Sequence, residues 1–127
     1  MKFLSLLSRA AIGVPFVVLG YAAIKEPGGR VKAAENFGIP EDLADLAVRA
    51  NGAAMALGGL SVITGVLPQV GAAAVTASMI PTTMAGHAFW KDTDPKQRQA
   101  NLVQFLKNLG MVGGLLAVIA TTKPSTD

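Results

Sequence analysis

No cysteine occurs among these 127 residues, and there is only one histidine, His87. The first absence excludes disulfides, thiolate metal sites and thiol chemistry carried by the chain itself. A single histidine excludes a zinc or bis-histidine haem site built within one chain. Charge is also scarce: 15% of residues are charged, against about 25% in soluble proteins. Aromatics make up 6%, apolar residues 51%, and mean hydropathy is +0.46. That leaves too little polar surface for a water-soluble fold, so a single membrane-embedded domain over 1–127 is expected.

Other chemistries fall away for lack of parts. No carboxylate lies inside an apolar run, so the intramembrane acid of proton-driven carriers is missing. No GxSxG nucleophile motif occurs, and Gly28-Gly29 follows no strand that would make it a phosphate loop. The net charge of +3 comes from cations scattered at the ends of apolar runs. Without a basic stretch interleaved with aromatics, nucleic-acid binding is excluded as a reading.

What is present is four apolar segments, at about 3–24, 47–67, 70–90 and 102–122. Each approaches the ~20 residues that a helix needs to cross ~30 Å of hydrocarbon. No alternating strand pattern competes, and lipid excludes unpaired backbone. The expected fold is all-α: a four-helix transmembrane bundle with a short amphipathic helix between the first and second spans. The stretch "RVKAAENF" supplies that short helix, bounded by Pro27-Gly28-Gly29 and Gly38-Ile39-Pro40. Pro40 followed by Glu41 and Asp42 suits the start of the second long helix. Pro68-Gln69 reads as a tight turn between spans two and three. The start resembles a signal peptide with "YAA" as a cleavage candidate, but Arg9 interrupts its apolar region and retention is expected.

Threading the chain up and down four times collects the polar residues on one side of the membrane. Lys25, Arg49, Asn51, His87, Trp90, Asn101, Gln104, Lys107 and Asn108 fall there. On the fourth helix, Asn101, Gln104, Lys107 and Asn108 lie within an arc of about 120°. If that helix enters the membrane near residue 100, Asn108 is about 12 Å deep. A polar pocket lined by Lys25, Asn51, His87, Gln104, Lys107 and Asn108 is therefore expected, open toward the longer loops. Each member also has a plainer reading. Asn51 and Asn108 can serve as interhelical hydrogen-bonding residues, Lys107 can snorkel to the surface, and His87 can be an interfacial structural residue. The alternatives are a proton-handling or ligand role at His87 and, at Lys107, pairing with a carboxylate of a partner protein or binding an anionic or quinone-like ligand. Arg9, with no acid in its own helix, is expected to meet lipid phosphate.

The quoted residues carry a resemblance over nearly the whole chain. "SRAAIGVPFVVLGYAAIKEP", "FGIP", "NGAAMALGGLSVITG", "PTTMAGHAFW" and "NLVQFLKNLGMVGGLL" resemble the DoxX-like family of small bacterial membrane proteins, in its actinobacterial branch. Many members carry Glu where Asn51 stands here, so acid-based proton handling is not implied at that position. The resemblance implies a multi-pass protein of the cytoplasmic membrane. It also implies a link to thiosulfate:quinone oxidoreductase subunits and to redox or sulfur-metabolism complexes.

Three functions compete on this basis. The first is a subunit, non-catalytic alone, that supports a redox or sulfur/thiol-oxidoreductase complex beside an oxidoreductase or antioxidant protein partner. The second is a binding protein for a quinone or lipid. The third is a small transporter, for which a homo-oligomer would have to supply the pathway. Lys and Arg number seven in the two long loops (25, 30, 32, 49, 91, 96, 98) and three at the opposite end (2, 9, 123). The positive-inside rule therefore favours cytoplasmic loops, whereas Lys2 and Arg9 at the start of the first helix argue the other way.

Overall fold

Residues 2–122 are described by a computed structural model containing five α-helices and one 3₁₀ turn. In order they are α1 (Lys2–Lys25), α2 (Gly29–Phe37), α3 (Glu41–Thr64), α4 (Pro68–Gly86), the 3₁₀ turn Phe89–Lys91, and α5 (Pro95–Thr121). This is an all-α bundle of four long helices with a short helix between the first and second. Helices α1, α3 and α5 are each long and apolar enough to cross a membrane, so the chain is a multi-pass membrane protein. Helix α4, at 19 residues, is the shortest of the four and carries no charged residue. Lys123 and the C-terminal tail, which entered the charge balance, lie outside the described residues.

Several boundaries differ from expectation, each for a local reason. Helix α3 starts behind Pro40, with Glu41 and Asp42 in its first turn, but ends at Thr64 instead of about 67. Gly65 adopts the left-handed conformation (φ 77°) and its N–H bonds to Ser61 O at 3.0 Å, which is a common helix stop. The connecting turn is therefore 65–67 and not Pro68-Gln69. Pro68 opens α4, where its missing N–H costs no helical bond. Gln69 is freed to donate from Nε2 to Ile119 O (3.1 Å) and Thr122 O (3.0 Å), tying α4 to the end of α5. At its other end α4 stops at Gly86, short of Trp90. Helix α5 begins at Pro95, two turns ahead of the apolar span that starts near 102, because Asp94-Pro95 forms its start.

Close backbone approach sets the packing. A Cβ on Gly52 would lie 2.7 Å from Gly20 O, and one on Gly59 would lie 2.7 Å from Gly13 O. Helices α1 and α3 thus meet along their backbones over two turns. Between helices in lipid, van der Waals contact of this kind replaces the hydrophobic effect as the driving force. All four long helices then share one core, including Phe16, Met55, Val62, Val75, Met79, Leu115 and Val118. A second cluster of Ala23, Ala34, Ala44 and Val48 fastens α2 onto α1 and α3. The outer faces of α1 and α5 remain exposed and apolar, with Leu4, Val14, Val18, Leu106, Leu109 and Leu116 turned outward, as lipid-facing surfaces must be.

Candidate functional site

A cavity of about 570 Å³ lies at the loop-rich end, roofed by α2 and walled by α1, α3 and α4. Its floor is apolar: Leu19 of α1, Met55 of α3 and Pro81 of α4. Ala33, Ala34, Phe37 and Ile39 line the α2 side. The polar groups on its wall are Arg30, Asn51, Thr82 and His87. Local sequence explains the shape. Small residues bring α1 and α3 together below it, and Pro81 removes one helical N–H from α4, so the Ala77 carbonyl has no backbone donor there. The two glycines flanking α2, Gly28 (φ 50°) and Gly38 (φ 122°), turn the chain back over the opening.

Asn51 Nδ2 donates to Thr82 Oγ1 at 2.8 Å, joining α3 to α4 across the cavity wall. Thr82 Oγ1 in turn donates to Ser78 O, at 2.8 Å. The Asn51 amide oxygen is left as an acceptor. At the mouth, His87 caps the end of α4 and its Nδ1 lies 3.5 Å from Asn101 Oδ1. Asn101 Nδ2 donates to Asp92 Oδ2 at 2.7 Å, which orients the amide with its oxygen toward the ring. Which ring nitrogen of His87 donates and which accepts depends on its tautomer. The cavity is therefore mostly apolar, with a few hydrogen-bonding groups along its wall.

The structure does not gather the six expected site residues into one pocket. Asn51 and His87 line the cavity, whereas Lys25, Gln104, Lys107 and Asn108 do not. Asn108 turns instead toward α4, where Nδ2 donates to Thr83 Oγ1 at 2.9 Å. It borders a smaller groove of about 200 Å³ between α4 and α5. Lys25, Gln104 and Lys107 are exposed. Of the polar arc on α5, Asn101 and Asn108 face inward, one heptad apart, while the two residues between them face out.

The aromatic residues explain the exposed pair. Phe89, Trp90 and Phe105 form an edge-to-face trio with ring centroids 5.3 to 6.0 Å apart. Tryptophan marks the membrane interface, so Phe105 lies at that level and α5 projects two turns or more beyond it. Asn108 is then only about 4.5 Å further in and Lys107 about 3 Å, within snorkelling reach of water. Arg49 is likewise accounted for structurally. It donates from Nη1 to Ile24 O at 2.6 Å and from Nε to Asp45 Oδ1 at 2.7 Å, capping the C-terminus of α1.

Thr82, Thr83 and Arg30 were missed from sequence. The adjacent hydroxyls of "PTTMAG" stand level with the two asparagines once the helices are threaded, and that is the signal that locates them. Among the described residues no group of three or more His, Cys, Asp or Glu side chains is placed to hold a metal ion.

The DoxX family profile matches residues 4–88, two thirds of the chain, spanning α1 to the end of α4. The chain belongs to the DoxX family. Its cavity residues, from Leu19 to His87, all fall inside the matched region, whereas α5 follows it. No curated protein and no solved structure matches this DoxX-family chain.

Proposed function

We propose that this DoxX-family protein holds one amphipathic molecule, a quinone or a lipid, in the cavity beneath α2. On this reading it serves as a supporting subunit of a redox or sulfur/thiol-oxidoreductase complex and is not catalytic alone. The observation that carries the proposal is a mostly apolar cavity whose wall bears a few polar groups, Arg30, Asn51, Thr82 and His87. A quinone-like ring fits this lining: its carbonyl or hydroxyl oxygens face Asn51, Thr82 and His87, and its apolar part meets Leu19 and Met55. The Asn51 amide oxygen can accept from the hydroxyl of a reduced head, and the Arg30 guanidinium on the same wall can donate to the carbonyl of an oxidised one. The quinone would supply the electron chemistry, while this chain binds it, orients it and screens it from water. The family's link to thiosulfate:quinone oxidoreductase subunits supports the redox setting.

Solvent extraction of protein purified in mild detergent tests the binding part. The wild type should yield a quinone or lipid at near-stoichiometric amount, and Ala33→Trp, which fills the cavity from α2, should yield little. Equal recovery from both proteins would overturn the assignment. Mild-detergent pull-down tests the complex: an oxidoreductase should accompany the chain, and its isolation alone in several detergents would remove the redox-subunit reading.

A further inference from the structure

We propose that Arg9 binds the phosphate of a membrane phospholipid at the end of the bundle opposite the cavity. Arg9 projects from α1 toward the C-terminus of α3, where its guanidinium lies against Gly65; a Cβ there would fall 2.5 Å from Nη1. The residue is only partly exposed, and its Nε is buried without a hydrogen-bond partner. Neither ion pair among the described residues includes it. The carboxylates of the described residues lie at the other end of the bundle, between Glu26 and Asp45 or in the Asp92–Asp94 loop. The last carbonyls of α3 carry roughly half a negative charge, which draws the guanidinium to this spot but leaves about half of its charge unbalanced among the described residues.

The surroundings decide where the missing anion comes from. Leu6 and Leu7 on α1, and Val66, Leu67 and Val70 around the turn, are all more than half exposed. A turn so apolar sits in lipid and not in water, which places the guanidinium at or just below the interface. A cation with no carboxylate partner among the described residues is costly at that depth, and lipid phosphate supplies an anion there. The planar guanidinium can meet two phosphate oxygens at once. This site is remote from the cavity, so it stands or falls independently of the proposed function.

The test is phospholipid retention by the full chain, reconstituted from vesicles of phosphatidylcholine mixed equally with phosphatidylglycerol and then washed in detergent. Bound phosphorus per protein is measured for wild type, Arg9→Gln and Lys2→Gln. Wild type and Lys2→Gln should keep lipid, and Arg9→Gln should release it with about tenfold weaker retention, the size expected for a charge-assisted contact. Equal retention in Arg9→Gln overturns the proposal. If Arg9→Gln fails to fold, Arg9→Lys replaces it; the loss of the two-pronged contact should weaken retention, and unchanged retention again overturns the site. In lipid-free detergent, inorganic phosphate should not raise the melting temperature of the wild type. A rise abolished by Arg9→Gln would identify a free-anion site and sink the lipid assignment. Deleting residues 123–127 should leave retention unchanged; a gain would mean that the tail carboxylates compete as the natural partner, contrary to the proposal.

Discussion

Thr82 and Thr83 are neighbours on α4, yet they bind side chains from different helices. Thr82 accepts from Asn51 of α3 at 2.8 Å and Thr83 accepts from Asn108 of α5 at 2.9 Å. The ~100° step between consecutive helical residues aims one hydroxyl at each neighbour. Helix α4, the shortest of the long helices, is thus clamped from both sides near the membrane surface.

Double-mutant cycles should register each clamp separately. The Asn108→Ala/Thr83→Ala cycle should give a coupling of about 0.6 kcal/mol and no more than about 1.7 kcal/mol, the range of such bonds in membrane proteins. Asn51 and Asn108, which share no partner, should add within about 0.5 kcal/mol. Reversible unfolding in bicelles is the measurement, and strong Asn51–Asn108 coupling would contradict the geometry.

Gly52→Ala should destabilise the fold by about 1–3 kcal/mol, because its Cβ meets the Gly20 carbonyl and the helices must part. Gly113→Ala is the control: nothing lies within 4 Å of the added methyl, and Ala favours the helix. A shift in melting temperature for the first and none, or a small rise, for the second is the expected pair.

Lys107 should matter little to folding. Lys107→Gln is expected to change stability by less than about 0.5 kcal/mol and to leave ligand recovery intact. Because the chain has no cysteine, single-cysteine variants report depth directly. A membrane-impermeant maleimide added on the loop side should label Lys107→Cys nearly as well as Trp90→Cys, and Leu116→Cys hardly at all. Protection of Lys107→Cys matching that of Leu116→Cys would place the lysine deep in the membrane, against the position given by the aromatic trio.

Gln69→Ala should loosen the end of α5. Two bonds to its final carbonyls vanish, each worth about 0.5–1.5 kcal/mol. Faster amide exchange at Thr121 and Thr122, with α1 unaffected, is the outcome that hydrogen-exchange measurement should show.

Much of this architecture is written locally. Long apolar runs specify helices in any low-dielectric solvent, and Pro40-Glu41-Asp42 marks where α3 starts. Gly65 and Asp94-Pro95 mark a stop and a start just as locally, although reading apolar runs alone carries α3 past its stop to about 67. The polar residues' shared membrane side follows from connectivity. Their partners do not, since a partner depends on the rotation of each helix about its axis. That rotation comes from packing: glycine contacts set α1 against α3, and the hydroxyls of α4 engage both asparagines. The same packing turned Lys107 and Gln104 outward, although they share the inward arc by sequence. Sequence by itself determined a helical membrane bundle with polar residues at one end. Only the tertiary structure decided that α2 roofs a cavity over Asn51 and His87, because that cavity is bounded by side chains from four separate helices.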